Sequence, residues 1–526
     1  MNREFKNTGI IKRVILFTLF IIYFFYILYT FSQRPADSDY ANIVLKASDM
    51  LKGNFFLSGW HNTSNDIVFF LISTAICKVD NMSYVLGCTL MFLTMLMVCW
   101  LYLMRHVKES NRLIASVVYF AIAGFPAPGA VYAGRCHLQC MILMILSLIS
   151  LEEYEKKGKK RFVAAAACLV GLSAAGDMLI ALTGIAPVLV IYAVRIVRDL
   201  AGSKGINKRN PVSFAAVLAG AGLAFVLDRV FYLIGGADKT SFLAEQEFLG
   251  FDDYMRNFKL YARGLLWIFD ADYTGSALIS LNTVYFLLRL VIVIVCLVLV
   301  YKSVRSLFAD AEASVPQVFL SLSFVFISLA CITTSAFHDM ASVRYYGLVI
   351  FVFAYLAAAR VDELKDDVGV KGVWHKAALW ISLGFILILT GVQAVGNLHS
   401  GALYAAEKYN LMLRLKEMGL SCGYSQYWDA SLTTLYAGND VRLRSIVAAE
   451  NNVDERKALT AYKWFSKDEW FDEYADFVVV QSEDSRDYFQ EQDVLNQFGE
   501  PLWRKEVGYY TVMYYGRDLS KELMQL

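Results

Sequence analysis

The chain has 526 residues, of which 57% are hydrophobic and only 18% charged, and its formal net charge is +1. This apolar content exceeds that of ordinary soluble domains, and the near-zero charge, without a basic stripe, argues against nucleic acid as a partner. The nine cysteines lie mostly in apolar segments, in a pattern that matches neither a disulfide framework nor a zinc site.

Long apolar runs dominate the first three quarters of the chain. Runs of roughly 18–22 residues, enough to cross about 30 Å of hydrocarbon as a helix, recur between residues 14 and 398. They predict an α-helical polytopic membrane domain over 1–398, followed by a soluble α/β domain over 399–526. We expect about eleven transmembrane helices. They lie near 14–31, 83–104, 112–126, 132–151, 162–176, 178–195, 212–234, 282–301, 316–336, 343–360 and 377–398.

The charges of the connections predict the orientation. Short connections rich in Lys and Arg alternate with longer, less basic ones, and the basic set is expected in the cytoplasm. The N-terminus is then inside, and segments 32–82, 235–281 and 399–526 are outside. The apolar stretch 67–79 is too short to span, so we expect it along the outer interface or re-entering the membrane. The basic inner loops fit a bacterial plasma membrane.

The first outer loop places acidic residues directly after the first span. Asp37, Ser38, Asp39 and Tyr40 begin a stretch with apolar residues at helical spacing that ends at Gly53. Ser38 or Asp39 is suited to cap this helix. The pattern predicts an amphipathic helix at the membrane surface, opened by a carboxylate close to the bilayer.

Further polar residues stand at the predicted outer ends of later spans. They are Arg135 and His137 at the start of the fourth span, Asp177 between the fifth and sixth, and His338, Asp339 and Arg344 before the tenth; Trp60 follows Gly53 in the first outer loop. Together with the acid, tyrosine, interfacial helix and glycine of the first loop, this pattern resembles the GT-C fold of polytopic glycosyltransferases. That group includes protein O-mannosyltransferases and bacterial aminoarabinose transferases. Family members have two adjacent acids in this loop, whereas here Asp37 and Asp39 are separated; counting back from Gly53 favours Asp39.

The resemblance implies an activity and a set of candidate residues. A first-loop acid, Asp39 or Asp37, would act as general base on an acceptor hydroxyl, which displaces a polyprenyl phosphate from the sugar with inversion. The acceptor would be a glycan, a lipid or a protein, and membrane lipid surrounds the site. No metal ligand set is predicted, although the resemblance leaves room for a divalent metal. The candidates for binding the donor phosphate are Arg344, Arg135, His137 and His338, and the other polar candidates are Asp177, Asp339, Tyr40 and Trp60.

Two other classes of function remain open at this stage. One is a transporter or flippase of lipid-linked or small substrates, and the other is a non-catalytic polysaccharide-assembly protein. Intramembrane charges gathered at helix ends, without an internal repeat, disfavour transport. Structural roles also compete: Asp39 and Asp177 suit a helix cap and a turn, and Arg135 and Arg344 suit headgroup anchors. The soluble domain is interpreted as a lid or an acceptor-binding accessory.

Overall fold

The structure is a computed structural model. It describes residues 2–34, 36–55, 63–134, 137–177, 179–202, 207–235, 247–309, 313–335, 337–362, 370–399, 405–450, 457–463, 466–481 and 489–523.

Helices make up the described part of the first 399 residues. They are α1 (Asn2–Ser32), α2 (Ser38–Leu51), α3 (Thr63–Cys77), α4 (Asn81–His106), α5 (Arg112–Ala123), α6 (Pro128–Ala133), α7 (Leu138–Lys157), α8 (Lys160–Gly176), α9 (Ala186–Ala201), α10 (Arg209–Gly235), α11 (Phe251–Ile268), α12 (Leu281–Ala309), α13 (Val315–Thr333), α14 (Val349–Ala359) and α15 (Val370–His399). A π-helical segment, Ala181–Ile185, leads into α9, and a 3₁₀ helix, Met340–Tyr346, precedes α14.

Several of these helices are long and apolar enough to cross a membrane. Five of those described meet that test: α4, Ala181–Ala201, Arg209–Phe231, α12 and α13. The 3₁₀ helix and α14, which meet at 48°, would make a sixth if they form one bent span. The chain is therefore a multi-pass helical membrane protein, as predicted. Each of the eleven predicted spans falls on a helix, although several of these helices are shorter or broken.

The predicted span 132–151 is one of those that are broken. It is divided between α6 and α7, because His137 has the left-handed φ of 61° and so cannot continue a right-handed helix. The helix after the break begins at Leu138. His137, which a continuous span would carry within a helix, therefore stands directly before the start of α7 instead.

The helices divide into central and peripheral ones. Nearly every residue of α14 is buried, and α4 is buried along much of its length. By contrast, α10 and α12 expose large apolar side chains such as Phe225, Leu287 and Ile294. Exposed apolar rows of this extent suit contact with lipid acyl chains, so these two helices lie at the periphery of the bundle.

The predicted amphipathic helix is present as α2, with one correction. Asp37, rather than Ser38 or Asp39, is the N-cap, because the chain is still extended at Asp37 and its carboxylate accepts the backbone amide of Asp39 at 2.9 Å. The helix stops at Leu51, two residues before Gly53, whose φ is 95°. Rather than lying open on a surface, α2 is buried over most of its first ten residues, between α3 and the C-terminal domain.

Residues 405–523 form the predicted α/β domain, here called the tail. Its sheet has the order β3-β2-β1-β4-β6-β5, with β1 parallel to β2 and β4 and the other pairs antiparallel. Apolar clusters fill both faces of the sheet, and Leu45 of α2 belongs to one of them, so the tail is docked on α2. Its elements are α16 (Ala405–Glu417), β1 (Cys422–Ser425), α17 (Tyr427–Tyr436), β2 (Arg442–Glu450), β3 (Lys457–Ala461), β4 (Phe477–Gln481), α18 (Glu491–Phe498), β5 (Trp503–Val507) and β6 (Tyr510–Tyr514).

Candidate functional site

Polar side chains collect at the end of the helical bundle that faces the tail. Tyr40, on the first turn of α2, donates a hydrogen bond from its hydroxyl to Oδ2 of Asp66 at 2.6 Å. Asp66 lies in the first turn of α3 and is fully buried, and its Oδ1 has no hydrogen-bond partner among the described residues. Burial raises the pKa of Asp66 to about 7, although the Tyr40 hydroxyl opposes the shift.

A histidine–carboxylate pair interacts electrostatically with Asp66. Nδ1 of His137, just before α7, lies 2.7 Å from Oδ2 of Asp177 at the end of α8. Asp177 is buried, and its other oxygen accepts the backbone amide of Leu179 at 2.8 Å. Because the carboxylate is held from both sides, it fixes the orientation of the imidazole. The left-handed backbone at His137 is the local strain that points this ring toward Asp177.

An arginine and a tyrosine extend this arrangement. The guanidinium of Arg344 lies 5.3 Å from the ring centre of Tyr345, whose ring centre is in turn 5.6 Å from that of His137. Both residues belong to the 3₁₀ helix before α14, which Asp339 caps by accepting the amide and hydroxyl of Ser342 at 3.0 and 2.9 Å. We call Asp39, Tyr40, Asp66, His137, Asp177 and Arg344 the polar cluster.

The tail closes this end of the bundle through the start of α2. Tyr427, the first residue of α17, donates its hydroxyl to Oδ1 of Asp39, and Ser38 donates to the carbonyl of Trp428 at 3.0 Å. The hydroxyl of Tyr436 accepts the amide of Ala36. Burial, and then the charge of Asp39, raise the pKa of Tyr427, so it remains a donor. Asp39 itself stays half-buried, at the seam between the two domains.

The structure brings some of the predicted residues together and leaves others apart. Tyr40, His137, Asp177 and Arg344 share the polar cluster, with Asp37 and Asp39 at the start of the same helix as Tyr40. His338 is 72% exposed, and its Nε2 is 3.8 Å from Oδ2 of Asp339. Arg135 and Trp60 lie outside the described residues.

Sequence reasoning missed Asp66 and Tyr427. An acid at the start of the apolar stretch 67–79 was a usable signal for Asp66, and Tyr427 lies in an aromatic-rich motif, 423–430. The part of the chain that the structure describes contains no group of three or more His, Cys, Asp or Glu residues suited to hold a metal ion.

Comparisons with known proteins bear on the fold. The sequence matches no protein-family model and no curated protein. Among solved structures, ArnT from Cupriavidus metallidurans in the apo state is similar over 99% of both chains, with 11% identity and a TM-score of 0.50. This chain has a GT-C fold. The same protein bound to undecaprenyl phosphate gives a TM-score of 0.48 and 11% identity over 96% of this chain and 98% of that one.

Within this GT-C fold, the polar cluster combines three kinds of chemistry in one place. Half-buried and buried carboxylates can accept a proton, an imidazole held by a carboxylate can carry positive charge, and a guanidinium can bind an oxyanion. Asp39 joins this set to the tail through the Tyr427 hydroxyl. The arrangement therefore suits a reaction in which one group loses a proton while another leaves as an anion.

Proposed function

We propose that the protein is a membrane glycosyltransferase that moves a sugar from a polyprenyl-phosphate donor to an acceptor hydroxyl. The observation that carries the proposal is the gathering of carboxylate, imidazole and guanidinium groups at the tail-facing end of a GT-C fold. Tyr40 and Asp66 link this set to the start of α2. We further propose that this end and the tail are outside a bacterial plasma membrane and that the N-terminus is cytoplasmic.

The proposed reaction is a single inverting displacement. The carboxylate of Asp39 accepts the proton of the acceptor hydroxyl, whose oxygen attacks the anomeric carbon of the donor sugar. The bond from that carbon to the phosphate oxygen breaks, and the polyprenyl phosphate leaves with the bonding electrons. Asp39 is favoured over Asp66 as the base because Asp39 is half-buried at the seam, whereas Asp66 is fully buried. Asp37 is second choice, since its carboxylate already accepts an amide as the helix cap.

The leaving phosphate requires cations near the seam. The guanidinium of Arg344 suits bidentate contact with phosphate oxygens, and His137, held by Asp177, supplies an oriented imidazole that can carry positive charge. Both would stabilise negative charge that grows on the phosphate in the transition state. Arg135 and His338 remain further candidates for this role.

The test is donor turnover by the full-length protein in lipid nanodiscs. Undecaprenyl-phosphate sugars are supplied with envelope glycan and lipid acceptors, and release of the free lipid phosphate is measured. Asp39→Asn is expected to lower turnover about 100-fold or more, the usual worth of a general base. Asp253→Asn, an exposed acid on α11 that pairs with Arg256 at 3.1 Å, is the matched control and should leave turnover unchanged. Equal turnover in wild type and Asp39→Asn would refute the assignment of Asp39 as the base. If the wild-type protein turns over no donor, the proposal that it is a glycosyltransferase is wrong.

A further inference from the structure

A cavity lies between the C-terminal half of α2 and the tail. Its volume is about 510 Å³, and Asp49 of α2 and Lys52, directly after that helix, face Arg442, Arg444, Lys467 and Glu473 of the tail across it. Asp49 is ten residues beyond Asp39, which is about 15 Å along a helix. This α2–tail cavity is therefore separate from the polar cluster but lies along the same helix.

Two cations of the cavity are buried and held in place. The side chain of Arg444 is 6% exposed; its Nη2 donates to Glu473 at 3.0 Å, and its guanidinium lies 4.7 Å from the ring centre of Trp470. Lys467 is 8% exposed, donates to the carbonyl of Asn54 at 3.1 Å and lies 3.7 Å from Asp49. Burying an arginine and a lysine in one cavity is costly, so their fixed geometry points to a ligand rather than to stability alone.

The wall of the α2–tail cavity carries a small excess of positive charge and contains both hydrogen-bond donors and acceptors. Four cations line it against three carboxylates, and one of these carboxylates, Glu473, is shared by Arg444 and Arg442, whose Nη1 lies at 3.2 Å. The side chain of Arg442 is 37% exposed, so part of its guanidinium stays open to the cavity. An open guanidinium favours an anionic group on the ligand.

Apolar patches complete the wall. The ring of Phe55 is largely exposed at the cavity, and Leu45 and Val79 also line it. Neighbouring charged donors, charged acceptors and small apolar faces match a sugar ring, whose hydroxyls both donate and accept and whose C–H faces pack on apolar groups. The volume falls within the range of about 300–1,000 Å³ usual for ligand sites.

We propose that the α2–tail cavity binds an acidic oligosaccharide, one that carries a carboxylate or phosphate group. This inference deepens the proposed function and rests on it in one respect: the saccharide would be a distal part of the acceptor. The cavity lies about 15 Å from Asp39 along the axis of α2, a distance of a few sugar units. The tail would then select the acceptor, while the bundle holds the donor.

The test is direct binding, which needs no turnover. Trigalacturonate, as an acidic trisaccharide, and maltotriose, as a neutral one, are titrated calorimetrically into the full-length protein in nanodiscs. Trigalacturonate is expected to bind to the wild-type protein. Arg442→Gln should lower the affinity for trigalacturonate about tenfold, which is the effect of losing one charged hydrogen bond. Arg504→Gln is the matched control, because Arg504 also pairs with a glutamate of the tail, Glu491, at 2.8 Å, but on the edge strand β5. If Arg442→Gln does not fold, Lys52→Gln, at an exposed position, replaces it.

Several outcomes would overturn the inference. These are absence of trigalacturonate binding, equal binding of maltotriose, or equal affinity in Arg442→Gln and Arg504→Gln. If inorganic phosphate binds as tightly as trigalacturonate, the cavity is a simple anion site, and the proposal of an oligosaccharide site is also overturned. Asp39→Asn should keep full trigalacturonate binding, so a failed enzyme proposal and a failed cavity proposal give different results.

Discussion

The carboxylates at the two ends of the helical bundle have different neighbours. At the end remote from the tail, Glu153 of α7 lies 2.6 Å from Nη2 of Arg105 and also pairs with Lys157. Hydrogen bonds from these two cations lower the pKa of Glu153 to about 2. Glu155, two residues on, pairs with Arg195 at 3.2 Å. Glu153 is therefore matched by cations and stays ionised at physiological pH, whereas its neighbour Glu152 is buried and contacts the Tyr102 hydroxyl and the His106 imidazole.

At the tail-facing end, the acids contact neutral or weakly basic groups. Asp66 is held by the Tyr40 hydroxyl, Asp39 by the Tyr427 hydroxyl and Asp177 by the His137 imidazole. Burial raises the pKa of Asp66 to about 7, the opposite of the shift at Glu153. The difference teaches that an acid paired with cations, such as Glu153, stays ionised, whereas a buried acid held by a hydroxyl, such as Asp66, can exchange its proton near neutral pH.

The largest effect that would sharpen this contrast is expected from Asp177→Asn. An amide carries no charge with which to hold and orient the imidazole of His137, so donor turnover should fall about 100-fold in kcat/KM, with a higher KM for the donor. Steady-state kinetics in nanodiscs measure both constants, and thermal unfolding checks that the fold persists. Asp440→Asn, an exposed acid of the tail that pairs with Lys416, serves as the control. Unchanged kinetics in Asp177→Asn would remove the pair from the mechanism.

A second effect concerns stability against pH at Asp66. Its pKa in the folded protein, about 7, is above the ordinary 3.8, so the folded state holds this proton between those values while the unfolded state releases it. Stability from this group is therefore complete below about pH 4 and is lost as pH rises through about 7. At about 1.4 kcal/mol per pKa unit, the loss is on the order of 4 kcal/mol.

Asp66→Asn should abolish that loss. The variant keeps an oxygen that can accept from Tyr40 but does not titrate, so its unfolding midpoint between pH 4 and 8 should be flatter than that of wild type. Thermal unfolding in detergent, followed by tryptophan fluorescence, gives both curves. Parallel curves for the two proteins would mean that Asp66 is not a buried titrating group, and the contrast between the ends would weaken.

The sequence predicted the fold class well and the contacts of the site less well. Hydrophobic periodicity is a local property, so it located α2, and hydropathy located the helices of the bundle. The N-cap was wrong because Asp37, Ser38 and Asp39 are all good caps, and the backbone conformation decides among them. The break at His137 was missed because an average over a span does not register one left-handed residue.

The pairs of residues in contact at the polar cluster and its boundary with the tail are far apart in the sequence, and a local sequence pattern does not predict such contacts. Tyr427 is 388 residues from Asp39, and Asp177 is 40 residues from His137. Asp39, Tyr40, His137 and Asp177 could be singled out individually because they stand at predicted helix ends. Asp66 could not be ranked, since its burial follows from the packing of α3 against α2, which the sequence alone did not predict.

A third, smaller effect is expected where the tail meets Asp39. Tyr427→Phe removes the hydroxyl that donates to this carboxylate at a buried contact, which should cost about 1–2 kcal/mol of stability. The unfolding midpoint of the purified protein measures the loss. Tyr409→Phe, at a largely exposed tyrosine of α16, should shift the midpoint much less. If the two variants behave alike, Tyr427 does not hold the tail on α2.

The smallest effect is expected at the opposite end of the bundle. Arg105→Gln breaks an exposed ion pair with Glu153, and such pairs contribute at most about 1 kcal/mol, so the unfolding midpoint should move slightly. Donor turnover should stay at the wild-type level, because Arg105 is at the far end of α4 from the polar cluster. Kinetics measured beside Asp177→Asn provide the comparison. A tenfold loss of turnover in Arg105→Gln would show that the two ends are energetically coupled, and acids paired with cations could then no longer be assigned a purely structural role.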